Sequence, residues 1–238
     1  MRSLKAAAVA ALMLTATAVP AIGAVVINAA NTGYQFQIDY TGQVGGQTTP
    51  SVSALGTYTF NNVTNNGLTY NFGYSILNDS TTTARLSGMG FTFLNGEDPN
   101  AASVTGTFSN AYPNGGNYPE GFGSVDVCFT AGGGSCAGGG SGGVFENNAA
   151  SGTFSLTFAQ VMSSVTFDDF VTRFQSISGV QAGNSGIGIG AQVQGGGGGI
   201  TAPEPGTWLM MLGGFGLVGW AARRRGSALA RPAFAQIA

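Results

Sequence analysis

The side chains that could do chemistry in this chain are carboxylates and one pair of cysteines. Between Val25 and Ala202 stand Asp39, Asp79, Glu97, Asp98, Glu120, Asp126, Glu146, Asp168 and Asp169, and the 238 residues contain no histidine. The usual general base and the commonest metal ligand are therefore missing. Glu97-Asp98, Glu120, Glu146 and Asp168-Asp169 could supply a glycosidase pair, which needs two carboxyls about 5–9.5 Å apart across a sugar. Adjacent carboxylates on a strand point to opposite faces, so Asp168 and Asp169 do not make such a pair. Solvated turn residues are the plainer reading, and the chain is expected not to be an enzyme. Asn95, Glu97, Asp98 and Asn100 fall in one expected turn, where Glu97 and Asp98 are the candidate ligands for Ca²⁺. No other cofactor is expected.

Two pattern matches dissolve on inspection. Gly139-Gly140-Ser141-Gly142-Gly143 fits Gly-x-Ser-x-Gly, but that motif needs a strand-to-helix turn and a histidine base. Gly214 to Gly219 fits a dinucleotide fingerprint, yet it lies inside an apolar run with no βαβ unit around it. Cys128 and Cys136 are close in sequence, and a disulfide is the default in an oxidising compartment. A metal or redox pair is the alternative, against which stand the missing histidine and a spacing that is not Cys-x-x-Cys.

Charge excludes one class of partner. The stretch from Val25 to Ala202 keeps only Arg85 and Arg173 as cations against nine carboxylates, a net charge of −7 without one lysine. Nucleic acid is excluded, because its binders need clustered Lys and Arg. Such a surface repels anionic polymers at low salt and attracts cations.

These groups must be carried on strands. Tyr34, Phe36, Ile38 and Tyr40 alternate with Gln35, Gln37 and Asp39, the period of a strand with one buried face. Gly42 to Ser51 reads as a loop. Leu55, Tyr58 and Phe60 open a second strand, and Leu68, Tyr70, Phe72, Tyr74 and Ile76 a third. Asn65-Asn66-Gly67 joins the two as a hairpin turn of residues that tolerate positive φ. Further strands are predicted over Arg85–Leu94, Ser103–Phe108, Gly123–Thr130, Thr153–Ala159 and Val165–Ile177. The last carries an irregularity at Asp168-Asp169, and Ala159–Ser163 has room for one helical turn. Short strands with Gly, Asn and Ser turns predict an all-β protein with a single antiparallel β-sandwich of jelly-roll type. Thr and Ser on its outward faces suit strands without counter-charges. Ala131–Gly143 reads as a surface loop. Gly183–Gly199 reads as a flexible Gly-rich linker.

The two ends speak of export. Arg2 and Lys5 precede an apolar Ala6–Val19, and Ala21-Ile22-Gly23 offers small residues to signal peptidase, so Sec-dependent export with cleavage after Gly23 or Ala24 is expected. Near the other end, Pro203-Glu204-Pro205 precedes an uncharged Thr207–Ala222, and Arg223, Arg224 and Arg225 follow. Sixteen residues are fewer than the roughly 20 that cross a bilayer comfortably, a gap that bilayer thinning or snorkelling arginines close. Trp208 and Trp220 stand where indoles favour the interface, and the positive-inside rule keeps the arginines cytoplasmic as a membrane stop.

Pro203-Glu204-Pro205, the span with Gly214-Phe215-Gly216 at its core and the arginine cluster together resemble a PEP-CTERM sorting signal. The resemblance covers about 25 residues. It implies recognition by exosortase, a multi-spanning membrane enzyme with a cysteine nucleophile, and removal of the tail after transport across the inner membrane of a Gram-negative, exopolysaccharide-making host. Phe122 to Thr130, the Gly-rich Cys136 loop and Arg173-Phe174-Gln175-Ser176-Ile177 are similar to the cistern subgroup of such proteins, to which no biochemical activity is assigned. The expected organisation is a signal peptide with its helix at 1–24, a β-sandwich at 25–182, a linker at 183–201, a sorting signal with a transmembrane helix at 202–225, and a short cytoplasmic tail at 226–238. The expected role is structural or interactive, in the extracellular matrix or at the cell surface and linked to exopolysaccharide or biofilm. A carbohydrate- or Ca²⁺-binding module is the alternative, and a carboxylate-based hydrolase the last. Tyr112 and Tyr118 are candidate sugar-stacking rings or else cover the edge of the core.

Overall fold

The computed structural model describes residues 23–138 and 141–193. Residues 1–22 of the expected signal peptide at 1–24, and the whole of the expected transmembrane sorting segment at 202–225, lie outside the described residues. Among the described residues, no helix is long and apolar enough to cross a membrane.

The strands are β1 (Val25–Asn28), β2 (Gln35–Val44), β3 (Gln47–Thr64), β4 (Thr69–Asn78), β5 (Arg85–Phe93), β6 (Ala101–Val104) and β7 (Asn110–Tyr112). They continue as β8 (Gly116–Tyr118), β9 (Gly123–Val125), β10 (Val127–Thr130), β11 (Val144–Phe145), β12 (Asn148–Thr157), β13 (Ser164–Gln175) and β14 (Ser185–Gln192). All pairings are antiparallel, and β8 with β9 form a small separate ribbon. The other twelve make one continuous sheet whose path runs β6-β12-β4-β3-β2-β14-β13-β5-β10-β7, with β1 on β13 and β11 on β5. The fold is thus all-β, antiparallel and sandwich-like, as expected. Its two layers are halves of a single sheet curled almost into a barrel.

Alternation drives the curl. Phe36, Ile38 and Tyr40 on β2, Phe72 on β4, Phe154 on β12, Phe91 on β5 and Phe167 on β13 all point inward and are buried. Rings from the two halves meet across the interior: Phe72 with Phe167 at 5.6 Å, Phe129 with Phe154 at 5.2 Å, and Tyr58 with Phe91 at 5.7 Å between centroids. Each fully buried Phe is worth about 1.5–3 kcal/mol of transfer free energy. Edges β6 and β7 are joined by residues 105–109. Thr105 N–H donates to Thr153 C=O, Ser109 N–H donates to Thr130 C=O, and Phe108 is buried against Tyr74. The connection itself fills the seam.

Several sequence expectations need correction. Gly42–Ser51 is not a loop. β2 runs on to Val44 and turns at Gly45-Gly46, both at positive φ (58° and 74°), directly into β3. Pro50, which has no N–H to donate, is accommodated because the β2–β3 register shifts after Thr41 and leaves it without a ladder partner on β2. The Asn65-Asn66-Gly67 turn does take positive φ throughout, and the register of β13 against β5 breaks between Phe167 and Phe170, at Asp168-Asp169. Gly123–Thr130 is two strands broken at Asp126, so Val125 packs in a different cluster from Val127 and Phe129. β6 ends at Val104 rather than Phe108, and Ala159–Ser163 forms bends rather than a helical turn.

The largest correction concerns Gly183–Gly199. Ser185–Gln192 is not linker but β14, a central strand between β2 and β13. The folded domain therefore extends beyond the expected boundary at 182, and only residues 194–202 separate its last described residue from Pro203. β1 begins at Val25, immediately after the expected cleavage sites, with Val25 and Ile27 buried.

Candidate functional site

The sorting residues Pro203, Glu204 and Pro205, the membrane-stop residues Arg223, Arg224 and Arg225, and the span Thr207–Ala222 lie outside the described residues. What the folded domain offers is an acidic corner, a disulfide-clipped flap and a polar outer sheet face.

The acidic corner lies where β5 and β13 reach the turn at residues 94–96. Glu97 Oε2 accepts the Thr166 backbone N–H at 2.9 Å, Asp126 Oδ2 accepts that of Phe93 at 2.7 Å, and Asp169 Oδ2 accepts the Thr92 hydroxyl at 3.2 Å. Asp98 is exposed beside a cleft of about 320 Å³ lined also by Gly96, Phe158 and Met162. Among the described residues, no three His, Cys, Asp or Glu side chains converge as metal ligands. The remaining candidates for a carboxylate pair are dispersed onto backbone amides. Glu120 Oε2 accepts Gly46 N–H at 2.6 Å, and Glu146 Oε2 accepts Ala84 N–H at 3.4 Å.

Burial raises the Asp126 carboxyl above its ordinary 3.8, with Asp98 and Asp169 adding to the rise and the Phe93 N–H opposing it. A raised carboxylate pKa means that the folded state holds its proton to higher pH than the unfolded state does. Stability then falls as pH rises through and just above the ordinary carboxylate range. Asp126→Asn keeps an oxygen for Phe93 N–H, and it is expected to flatten that fall in urea midpoints measured across pH 3.5–7 relative to wild type. An unchanged pH slope in the variant would show that Asp126 does not contribute to it.

The flap consists of β7–β9 and the loop around Cys136. Cys128 and Cys136 form the expected disulfide, with Cα atoms 5.8 Å apart. Tyr118, Val125, Cys128 and Cys136 pack on Val171 and Ile187, which point outward from β13 and β14. Tyr118 is buried and Tyr112 packs against the same cluster, so these rings cover an edge of the core rather than wait for a sugar. Arg173, 7% exposed, reaches up from β13 into this second core. Its Nε donates to Ala137 C=O at 2.6 Å, and one terminal nitrogen donates to Gly186 C=O at 2.6 Å and to Phe174 C=O at 3.1 Å. Burial lowers its pKa, while Tyr118 and Glu120 act in the opposite direction. Nothing in the residue spacing marked Arg173 as a clamp; its being one of two cations left in a carboxylate-rich domain was the only available signal.

The polar face is the outer side of β6, β12, β4, β3 and β2. Hydroxyls and amides pair across strands: Ser103 with Ser155 at 2.7 Å, Thr105 with Thr153 at 2.8 Å, Thr69 with Thr157 at 3.0 Å, and Gln37 Nε2 to Thr57 Oγ1 at 3.2 Å. Asn71 Nδ2 donates to Asn62 Oδ1 at 2.9 Å and to Thr64 Oγ1 at 3.0 Å. A groove of about 370 Å³ crosses this face, lined by Asn61, Asn62, Thr64, Asn71, Ser103, Thr153 and Ser155 with Phe72 and Phe154. None of these residues is charged.

The PEP-CTERM protein-sorting motif family matches the chain over residues 201–225. No curated protein and no solved structure matches the chain. The chain therefore carries a PEP-CTERM sorting signal that contains Pro203, Glu204 and Pro205. It is an exported cell-surface protein, sorted and processed by exosortase.

Proposed function

We propose that the processed β domain is a non-catalytic structural or interaction component of an exopolysaccharide or biofilm matrix, acting without a cofactor. The sorting motif at residues 201–225 carries this reading. In it, a Gram-negative cell exports the precursor through Sec, signal peptidase removes the leader, and Thr207–Ala222 holds an inner-membrane intermediate until exosortase cuts. The lack of histidine in the chain and the engagement of Glu97, Glu120 and Glu146 with backbone amides support a binding rather than a hydrolytic role. A surface rich in Thr, Ser, Asn and Gln suits contact with hydrated polymer, and the groove favours a neutral glycan over a metal as what is bound.

The test is the intact mass and the location of the protein in producing cells, with and without Pro203, Glu204 and Pro205 replaced by alanine. The wild-type product is expected in the extracellular polymer fraction without either end, and the triple variant in the inner membrane with its tail. A wild-type protein that keeps its tail and stays in the membrane would overturn the matrix role.

A further inference from the structure

We infer that the groove across the outer face of β3, β4, β12 and β6 is a binding site for an extended neutral polysaccharide laid across the strands. This deepens the matrix role proposed above by giving it a site and a ligand class. Strand registers bring the polar side chains into rows at right angles to the strands. Ser103, Ser155, Asn71 and Asn62 are mutual partners in one row, and Thr153, Gly73, Thr59 and Gln35 in the next. Neighbouring strands are about 4.8 Å apart, comparable with the length of one pyranose unit in an extended chain. A glycan lying along the first row thus meets a hydroxyl or amide at each sugar, and the second row offers the same on either side of Gly73.

Chemistry and shape agree with that occupant. Both rows consist of hydroxyls and amides with glycine and contain no charge, in a domain whose net charge is −7. The hydroxyl pairs are already hydrogen-bonded to each other, which fixes their rotamers while leaving each oxygen capacity for another partner. Asn71 Oδ1 and the Asn62 amide nitrogen have no partner among the described residues beyond the single bond that joins these two side chains through their other atoms. Gly73 leaves a dip within the second row, beside Asn71: a Cβ there would meet only the Asn61 amide, at 3.8 Å. No exposed aromatic ring lines the groove, so recognition rests on hydrogen bonds rather than stacking. An anionic polymer is disfavoured by the acidic remainder of the domain.

The experiment is affinity electrophoresis of the secreted protein, purified from producing cells, through gels containing a soluble β-glucan, a galactomannan, dextran or alginate. At least one neutral polymer is expected to retard it, equally at low and high salt because no ion pairs are involved, and alginate is expected not to. Asn71→Ala removes the central amide, and Gly73→Val fills the dip with a residue that suits a strand. Each is expected to weaken retardation at least tenfold with the thermal midpoint unchanged. Retardation by no neutral polymer, salt-sensitive binding to alginate, or undiminished binding by both variants would overturn the site. Self-association abolished by Gly73→Val, without glycan binding, would assign the face to a second copy and equally overturn it. The matrix role is read separately, from the share of protein in the polymer fraction of cells. Wild type retained there together with both variants would leave that role standing and remove only the groove.

Discussion

Gly188→Val is expected to prevent the domain from folding, and Gly188→Ala to destabilise it by about 2–3 kcal/mol. Along β14, Gly186, Gly188 and Gly190 face the interior and alternate with Ile187, Ile189 and Ala191. A Cβ at Gly188 would strike Thr172 Oγ1, lie 2.9 Å from a ring carbon of Phe174 and 3.1 Å from Tyr40 Cβ. One at Gly190 would lie 2.6 Å from Ile38 Cγ2 and 2.7 Å from Phe170 Cβ. None of the three is among the positive-φ glycines, so glycine is required for space rather than backbone torsion. The room they leave is filled by Tyr40, Phe170 and Phe174, rings held on both flanking strands. Those rings cannot retreat, because β14 is central and both neighbours are fixed by long ladders. A valine adds two more methyl groups to that clash in a domain whose whole stability is expected to lie within about 5–15 kcal/mol. Urea denaturation of the secreted protein checks the alanine variant, and the yield of protease-resistant protein checks the valine. Gly73→Ala is the control, since its Cβ enters open space on the outer face, and it should leave the unfolding free energy within about 0.5 kcal/mol of wild type. Equal stability of Gly188→Ala and Gly73→Ala would refute the packing account.

The same glycines explain what was hard to read in the sequence. Phe36, Tyr70, Phe72, Phe154 and their neighbours announce strands because each apolar residue is large enough to mark the buried face. In β14 the buried face is marked by the absence of side chains, and Gly-Ile-Gly-Ile-Gly running towards Gly195–Gly199 looks like more of the same glycine-rich chain. The partners that make those glycines necessary, Tyr40 on β2 and Phe174 on β13, are remote in sequence, so the constraint exists only after the sheet is assembled. Gly42–Ser51 misleads in the reverse way, because a two-glycine turn and a proline at a register shift hide two strands. The bulge at Asp168-Asp169 was legible, since two adjacent carboxylates cannot both avoid the interior of a regular strand. The polar face was visible only as Thr and Ser at alternate positions; its rows and the Gly73 dip depend on register, which no single strand contains. Arg173 as a clamp was out of reach altogether, because all three of its acceptors are backbone carbonyls and leave no mark in side-chain types.

Arg173 and the disulfide hold the same flap, and their removal is expected to be less than additive. Reducing the loop constraint with Cys128→Ala/Cys136→Ala should cost about 2–3 kcal/mol, from the loop entropy restored to the unfolded chain. Arg173→Met preserves much of the buried stem but removes the donors to the Ala137 and Gly186 carbonyls. Leaving such acceptors without their partners costs about 1–3 kcal/mol each, less whatever water recovers, so a loss of about 3 kcal/mol is expected. Arg173→Lys should restore little of it, since a single ammonium cannot reproduce the guanidinium fork that serves Ala137 on the flap and Gly186 on β14. Ala137 follows Cys136 directly, so once the disulfide is gone the loop can swing away and the arginine loses its flap acceptor in any case. The triple variant should therefore be about 1 kcal/mol more stable than the sum of the separate losses predicts. Urea unfolding of the four proteins closes the cycle, with proteolysis of the flap as a local readout: cleavage within residues 113–124 and 131–137, on either side of β10, should rise in each variant before the main sheet is attacked. Strict additivity would mean that the two devices secure different parts of the structure. The flap would then owe its position to Tyr118 and Val125 on Ile187, and Arg173 would serve only to join β13 to β14.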